Sequence, residues 1–224
     1  MSLTEPFLDT STRDLPVRGF LYRPDTPSGD CLILTHGAGS NCRTPLLVAL
    51  GDAFCASGLT VLRCDLAFRQ LRPTGPPPPR SAESDQAGLR AAVSAMRSKT
   101  TGRIFLGGHS YGGRQASLLV ASDPTLVTAL LLLSFPLHPP QKPDELRSKH
   151  FPDLKTPALF VHGERDGFAT QAEIESALQL IPAHTRLLSV PAAGHELLSA
   201  RNRRELPPQI VSEFLAFTDP TNAS

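Results

Sequence analysis

The heptapeptide Gly107-Gly108-His109-Ser110-Tyr111-Gly112-Gly113 contains Gly-x-Ser-x-Gly. An apolar run, Ile104-Phe105-Leu106, precedes it, and a helix-forming run from Arg114 to Ser122 follows. Strand, Gly-x-Ser-x-Gly, helix is the context of a nucleophile elbow. The reason is steric. The chain turns sharply from strand to helix, with Ser110 at the tip in a strained, positive-φ conformation. Gly108 and Gly112 flank it because a Cβ there would collide with the neighbouring strand and helix. The turn leaves the Ser110 hydroxyl accessible, and the start of a helix behind it favours negative charge. A glycine-rich turn that happens to hold a serine is the bland alternative. The flanking elements and two downstream partners weigh against it.

A serine hydroxyl is a poor nucleophile at neutral pH and needs a base within hydrogen-bond reach. His195 follows a strand-like run and a glycine, so it has both reach and freedom. A histidine base in turn needs a carboxylate to hold its tautomer and stabilise the imidazolium. Asp166 lies in the loop after the strand ending at His162. Glu164 is the alternative acid, and Asp166-Gly167 also reads as a plain turn. His184 and His138 compete with His195. The first precedes a strand, and the second lies in a Pro-rich connection. His36 and His162 end strands before a glycine and read as structural hydrogen-bonding groups. His109 is expected to pack away from any substrate. Attack on a carbonyl also needs donors for the oxyanion. The amide of Tyr111 is one candidate, and the amide of Ala38 in the loop His36-Gly37-Ala38-Gly39 is the other.

The elements that must position these groups alternate. Strands are expected at Val17 to Tyr22, Cys31 to Thr35, Leu59 to Cys64, Arg103 to Leu106, within Leu126 to Ser134, at Ala158 to His162 and at Thr185 to Val190. Helices are expected from Pro45 to about Ser57, Ser81 to about Ser98, Ser110 to Asp123, Gln171 to Leu180 and Pro207 to about Phe217. Arg69 to Pro79 reads as a long loop, and Phe135 to Pro157 as a Pro-rich connection with one short helical turn. Strands alternating with helices argue a mostly parallel sheet covered on both faces. The expected organisation is a single domain over 1–224 with its core at about 14–217. In such a fold, reactive groups belong in loops at the carboxyl ends of the strands.

The bulk numbers fit. The chain has 224 residues, 40% hydrophobic and 19% charged, as in a globular enzyme-sized domain. A net charge of +1 gives no field that would favour nucleic acid or an anionic membrane. The four cysteines, Cys31, Cys42, Cys55 and Cys64, read as free buried thiols in a reducing compartment, and their spacing fits no zinc site. No signal peptide or membrane-spanning run is evident, so a cytoplasmic location is expected.

On these residues the chain resembles the α/β-hydrolase superfamily. The His36-Gly37-Ala38-Gly39 loop, the Gly108-His109-Ser110-Tyr111-Gly112-Gly113 elbow, His162-Gly163-Glu164-Arg165-Asp166 and Gly194-His195-Glu196 stand in that family's order, from about Cys31 to the final helix. More narrowly it is similar to small, compact hydrolases of the dienelactone-hydrolase type and to the testis-expressed hydrolase-like group. The resemblance implies an α/β-hydrolase fold and an esterase, thioesterase or related acyl hydrolase with no cofactor and no metal. It implies Ser110 as nucleophile, Asp166 as acid and His195 as base, acting on a small-molecule ester or thioester. Dienelactone hydrolases proper resemble a cysteine-nucleophile pattern, so Ser110 does not imply lactone chemistry. Only Phe135 to Pro157 is available for a cap, so no large lid is expected. Arg69, and with it Arg72 and Arg114, lies near the expected mouth, where a guanidinium would hold an anionic substrate; surface charge is the competing reading. The rival functional class is a catalytically silent binding module on the same fold. Dehalogenase or epoxide hydrolase chemistry would need an aspartate where Ser110 stands.

Overall fold

The computed structural model describes residues 3–12 and 15–222, so the expected core boundary at 14 lies outside the described residues. Eight strands form one sheet: β1 (Leu3–Asp9), β2 (Val17–Arg23), β3 (Cys31–Thr35), β4 (Thr60–Cys64), β5 (Ile104–His109), β6 (Ala129–Leu133), β7 (Ala158–Gly163) and β8 (Thr185–Val190). Their order is β1-β2-β4-β3-β5-β6-β7-β8. Strands β4, β3, β5, β6, β7 and β8 run parallel, and β2 is antiparallel to both its neighbours.

The central strands are apolar on both faces because both faces are covered. Every residue of β3, β5, β6 and β7 is buried. The helices are α1 (Pro45–Ala56), α2 (Ala67–Leu71), α3 (Ser81–Arg97), α4 (Tyr111–Ser122), α5 (Gln171–Leu178) and α6 (Leu206–Phe217). On one face Leu32, Leu34 and Leu131 pack with Leu47 and Phe54 of α1 and Phe214 of α6. On the other, Ile33, Leu106 and Leu132 pack with Leu89 and Met96 of α3 and Ala116 of α4. Alternate residues of one strand thus feed two separate cores.

The parallel register decides where the chemistry falls. Thr35 of β3 lies opposite Gly108 of β5, and Gly163 of β7 opposite Val190 of β8. The loops after β3, β5, β7 and β8 therefore leave the same edge of the sheet. Between β6 and β7 the only helical element is a 3₁₀ turn, Phe151–Asp153, so this stretch forms no cap domain.

Two elements differ from the sequence expectation. Strand β1 was not expected. It lies at the sheet edge, carries Pro6, and leaves Leu3 and Leu8 exposed, so it lacks the apolar alternation of a half-buried strand. Helix α2 begins just before the stretch expected to be a long loop and takes its first residues, Arg69 to Leu71. Its Phe68 amide donates to Asp85 Oδ1 of α3 at 2.9 Å. A partner on a distant helix satisfies its open end, and local pattern carries no trace of that.

Candidate active site

Ser110 turns the chain from β5 into α4 with φ 51° and ψ −117°. A non-glycine residue pays about 1–3 kcal/mol for such a conformation, so the surroundings must enforce it. They do so by close packing. A Cβ on Gly108 would lie 2.6 Å from the Gly113 nitrogen, and one on Gly112 would lie 2.5 Å from the His36 carbonyl oxygen. Both obstacles are backbone and cannot swing aside. The Ser110 amide also donates to the Leu133 carbonyl at 2.8 Å, tying the turn to β6.

Three side chains from three loops meet here. Ser110 Oγ lies 2.8 Å from His195 Nε2. His195 Nδ1 lies 3.0 and 2.9 Å from the two carboxylate oxygens of Asp166. The carboxylate accepts, so Nδ1 carries the proton and Nε2 presents its lone pair to the serine. The Asp166 side chain has no exposed surface, whereas 20% of the His195 side chain is exposed. Burial alone would raise the Asp166 carboxyl. Hydrogen bonding to His195 and the histidine charge, together with the Phe168 amide, outweigh it and hold the group below its ordinary value.

Several residues fix this arrangement without having been singled out for it in the sequence. The Phe168 ring lies on the His195 ring with centroids 4.2 Å apart, and its amide donates to Asp166 Oδ1 at 2.9 Å. His109 Nε2 donates to the His195 carbonyl at 2.8 Å. The buried elbow histidine thus tethers the loop that carries His195. Burial lowers its pKa, against the bond to the His195 carbonyl, which raises it. The competing groups are engaged elsewhere. Glu164 Oε2 accepts the Ala192 amide at 3.1 Å. His184 stacks on Phe217, and His138 donates to the Pro139 carbonyl. His36 donates to the Gly37 carbonyl and accepts the Leu66 amide. His162 donates to the Ala169 carbonyl.

The loop after β3 lies against the nucleophile. A Cβ on Gly37 would sit 3.4 Å from Ser110 Cβ. Tyr111 opens α4, so its amide has no acceptor within the helix. Arg69 holds the loop from behind and needs a correction. Only 5% of the residue is exposed. Its guanidinium donates to the carbonyls of Ser40 (2.7 Å), Arg72 (2.9 Å), Ala38 (2.9 Å) and Gly75 (2.8 Å). It is turned inward, with four of its five N–H groups given to backbone carbonyls rather than held out to a substrate anion. Its place is behind the Ala38 peptide.

Asp85 joins this loop to the elbow. It has no exposed surface, and it accepts the Phe68 amide through Oδ1 and the Tyr111 hydroxyl through Oδ2 at 2.8 Å. Through Phe68 it anchors α2, which carries Arg69. Through Tyr111 it anchors the first turn of α4. Asp85→Ala is expected to destabilise the fold by about 2–6 kcal/mol, since two buried donors lose their acceptor at roughly 1–3 kcal/mol each. Urea unfolding measures this, and a loss under about 1 kcal/mol would mean the network bears little. Burial raises the Asp85 carboxyl. The stability linked to it is therefore present below the ordinary carboxylate range and lost as pH rises through the raised value. Asp85→Asn should flatten that part of the stability profile.

Beside His195 a cavity of about 340 Å³ opens, lined among others by Ala193, Gly194, Glu196, Leu198 and Asn202. Cys31, Cys42 and Cys64 are free and buried, and burial pushes the Cys31 and Cys42 thiols up to about 12 and raises Cys64 as well. None of these three is an available thiolate nucleophile at neutral pH. Among the described residues no helix is long and apolar enough to cross a membrane, and no group of three or more His, Cys, Asp or Glu is placed to hold a metal ion.

Residues 28–215 match the family model described as Alpha/beta hydrolase domain. Solved structures share the architecture over nearly the whole chain. A dienelactone hydrolase from Anabaena variabilis is 21% identical, with 96% of this chain and 97% of that one covered and a TM-score of 0.76. An α/β serine hydrolase without a lid from Xanthomonas campestris is 16% identical, with 97% and 95% covered and a TM-score of 0.74. An α/β serine hydrolase homologue from Coxiella burnetii is 17% identical, with 93% and 96% covered and a TM-score of 0.74. At these identities the likeness is one of fold.

Proposed function

The chain belongs to the α/β hydrolase domain family, and from that premise we propose that it is a serine hydrolase cleaving a small-molecule carboxylic ester or thioester. The observation that carries this reading is the 2.8 Å contact from Ser110 Oγ to His195 Nε2, with buried Asp166 on the far side of the ring. Ser110 Oγ attacks the carbonyl carbon as its proton passes to His195 Nε2. Asp166 stabilises the imidazolium that results. The amides of Tyr111 and Ala38 receive the negative oxygen, where fixed donors act without reorganising. As the tetrahedral species collapses, the bond to the leaving oxygen or sulfur breaks and His195 returns the proton to it. Water, deprotonated by His195, then releases the acyl group from Ser110. The free thiols of Cys31, Cys42 and Cys64 support a reducing, cytoplasmic compartment for this chemistry.

Rapid mixing with p-nitrophenyl acetate and a short thioester tests it. The expected result is a burst of leaving group near one equivalent per chain when deacylation is slow, followed by steady turnover. Folded protein that turns over no member of a panel of short and medium esters and thioesters would contradict the reading.

A further inference from the structure

A second cavity, of about 470 Å³, lies along α4 and the stretch between β6 and β7. It is lined among others by Arg114, Arg147, Lys149, His150 and Asp153. Arg114 belongs to the turn of α4 that Ser110 begins, and its amide donates to the Ser110 carbonyl. At 1.5 Å of rise per residue it stands about 6 Å along the axis from the serine. Arg147 comes from the connecting stretch. Its amide donates to the Leu137 carbonyl, and the next residue, His138, donates its own amide to the carbonyl of Phe168, the ring that covers His195. Both arginines are thus linked through the backbone to residues of the candidate active site.

Their surroundings are unusual for half-buried cations. Arg114 Nε is buried and has no hydrogen-bond acceptor among the described residues. Burial first, and then the neighbouring Arg147 charge, lower the pKa of Arg114. Among the described residues, the Arg147 guanidinium reaches only the Pro136 carbonyl, at 3.5 Å. Nearby Glu145 is engaged with Lys142 at 2.7 Å. Asp153 lines the cavity but, among the described residues, pairs with neither arginine; its charge acts on His150. The pair is nevertheless held in place. His150 Nε2 lies 2.7 Å from Ser117 Oγ, and Ser117 Oγ donates to the Arg114 carbonyl at 2.9 Å, clasping the connecting stretch onto α4. Two like charges and an unsatisfied buried donor, fixed side by side, cost free energy. A bound anion offsets both costs, and planar guanidinium groups match carboxylate and phosphate oxygens two at a time.

We propose that Arg114 and Arg147 form an anion subsite that selects esters or thioesters bearing a carboxylate or phosphate group on the part of the molecule that extends along α4. The proposal rests on the catalytic reading for its substrate, but the subsite itself is testable without catalysis. The first arm titrates inorganic phosphate and, separately, acetate into the protein at constant ionic strength, following amide shifts by NMR. The expected result is saturable shifts near Arg114 and Arg147 that are lost in Arg147→Gln. Shifts with phosphate alone indicate a phosphate-bearing substrate, and shifts with acetate indicate a carboxylate-bearing one. The second arm compares p-nitrophenyl butyrate with mono-p-nitrophenyl succinate. The charged ester is expected to be favoured in kcat/KM by about 10-fold or more, the scale of a hydrogen bond to a charged group. That ratio should fall toward one in Arg147→Gln and invert in Arg147→Glu, which keeps the test alive should Arg114 variants fail to fold. Absence of saturable shifts with both anions, or a ratio unchanged in both Arg147 variants, would overturn the subsite. Should no ester turn over, the binding arm alone decides it, and the failure belongs to the catalytic reading.

Discussion

Ser110→Ala is expected to remain folded and to lose ester hydrolysis by roughly 10⁴-fold or more, the scale seen when a nucleophile acting within a coupled unit is removed. The substitution deletes one oxygen at a site only 8% exposed and leaves the backbone turn to be held by Gly108 and Gly112. Circular dichroism and a steady-state assay settle both halves. A loss smaller than about 10-fold would mean that another group attacks the substrate. The alternatives are few. The thiols are buried, and the other close serine–histidine contact, Ser117 to His150, involves a serine with no exposed surface.

The second large effect is expected from Asp166→Asn. The shape is kept and the hydrogen bonding is reversed. An asparagine that donates to His195 Nδ1 forces the ring proton onto Nε2, so the ring presents N–H to Ser110 instead of a lone pair. In trypsin-type proteases the same substitution lowers kcat by about 10⁴, and a drop on the order of 10³–10⁴ is expected here, with KM changed far less. The same variant has a stability signature. Asp166 is held below its ordinary pKa, so its contribution is present above the ordinary carboxylate range and is lost as pH falls through the lowered value. Asp166→Asn should remove that acid-side loss. Equal kcat in Asp166→Asn and wild type would shift the acid role to another carboxylate, and Glu164, on the Ala192 amide, would then have to be re-examined.

What could be read from sequence and what could not divide along a physical line. The runs Cys31–Thr35, Ala129–Leu133 and Ala158–Gly163 are wholly apolar or nearly so because both sheet faces are covered, and that signal is local. The elbow is legible for the same reason. Gly108 and Gly113 answer a collision with each other within the elbow, although Gly112 answers the His36 carbonyl of a distant loop. Ser110, Asp166 and His195, which the structure brings within hydrogen-bonding distance, stood out because each follows a strand end. By contrast, α2 depends on a carboxylate of α3, and no local pattern carries it. Arg69 looks like any loop arginine, and only its four carbonyl partners reveal that it faces inward. Phe168 and His109 touch His195 across long stretches of chain, so their types alone announce nothing. The edge strand β1 lacks apolar alternation because none of its residues is buried, and Leu3 and Leu8 stand exposed.

The central claim is an activated serine at position 110. Labelling the folded protein with a fluorophosphonate, followed by peptide mass mapping, tests it most directly, because the reagent traps a serine whose proton has an acceptor. The predicted result is a single adduct on the peptide bearing Ser110, absent in Ser110→Ala and formed much more slowly in His195→Ala. A folded protein that takes up no label, or one labelled equally well after Ser110→Ala, would contradict the account and favour a binding module built on a hydrolase fold.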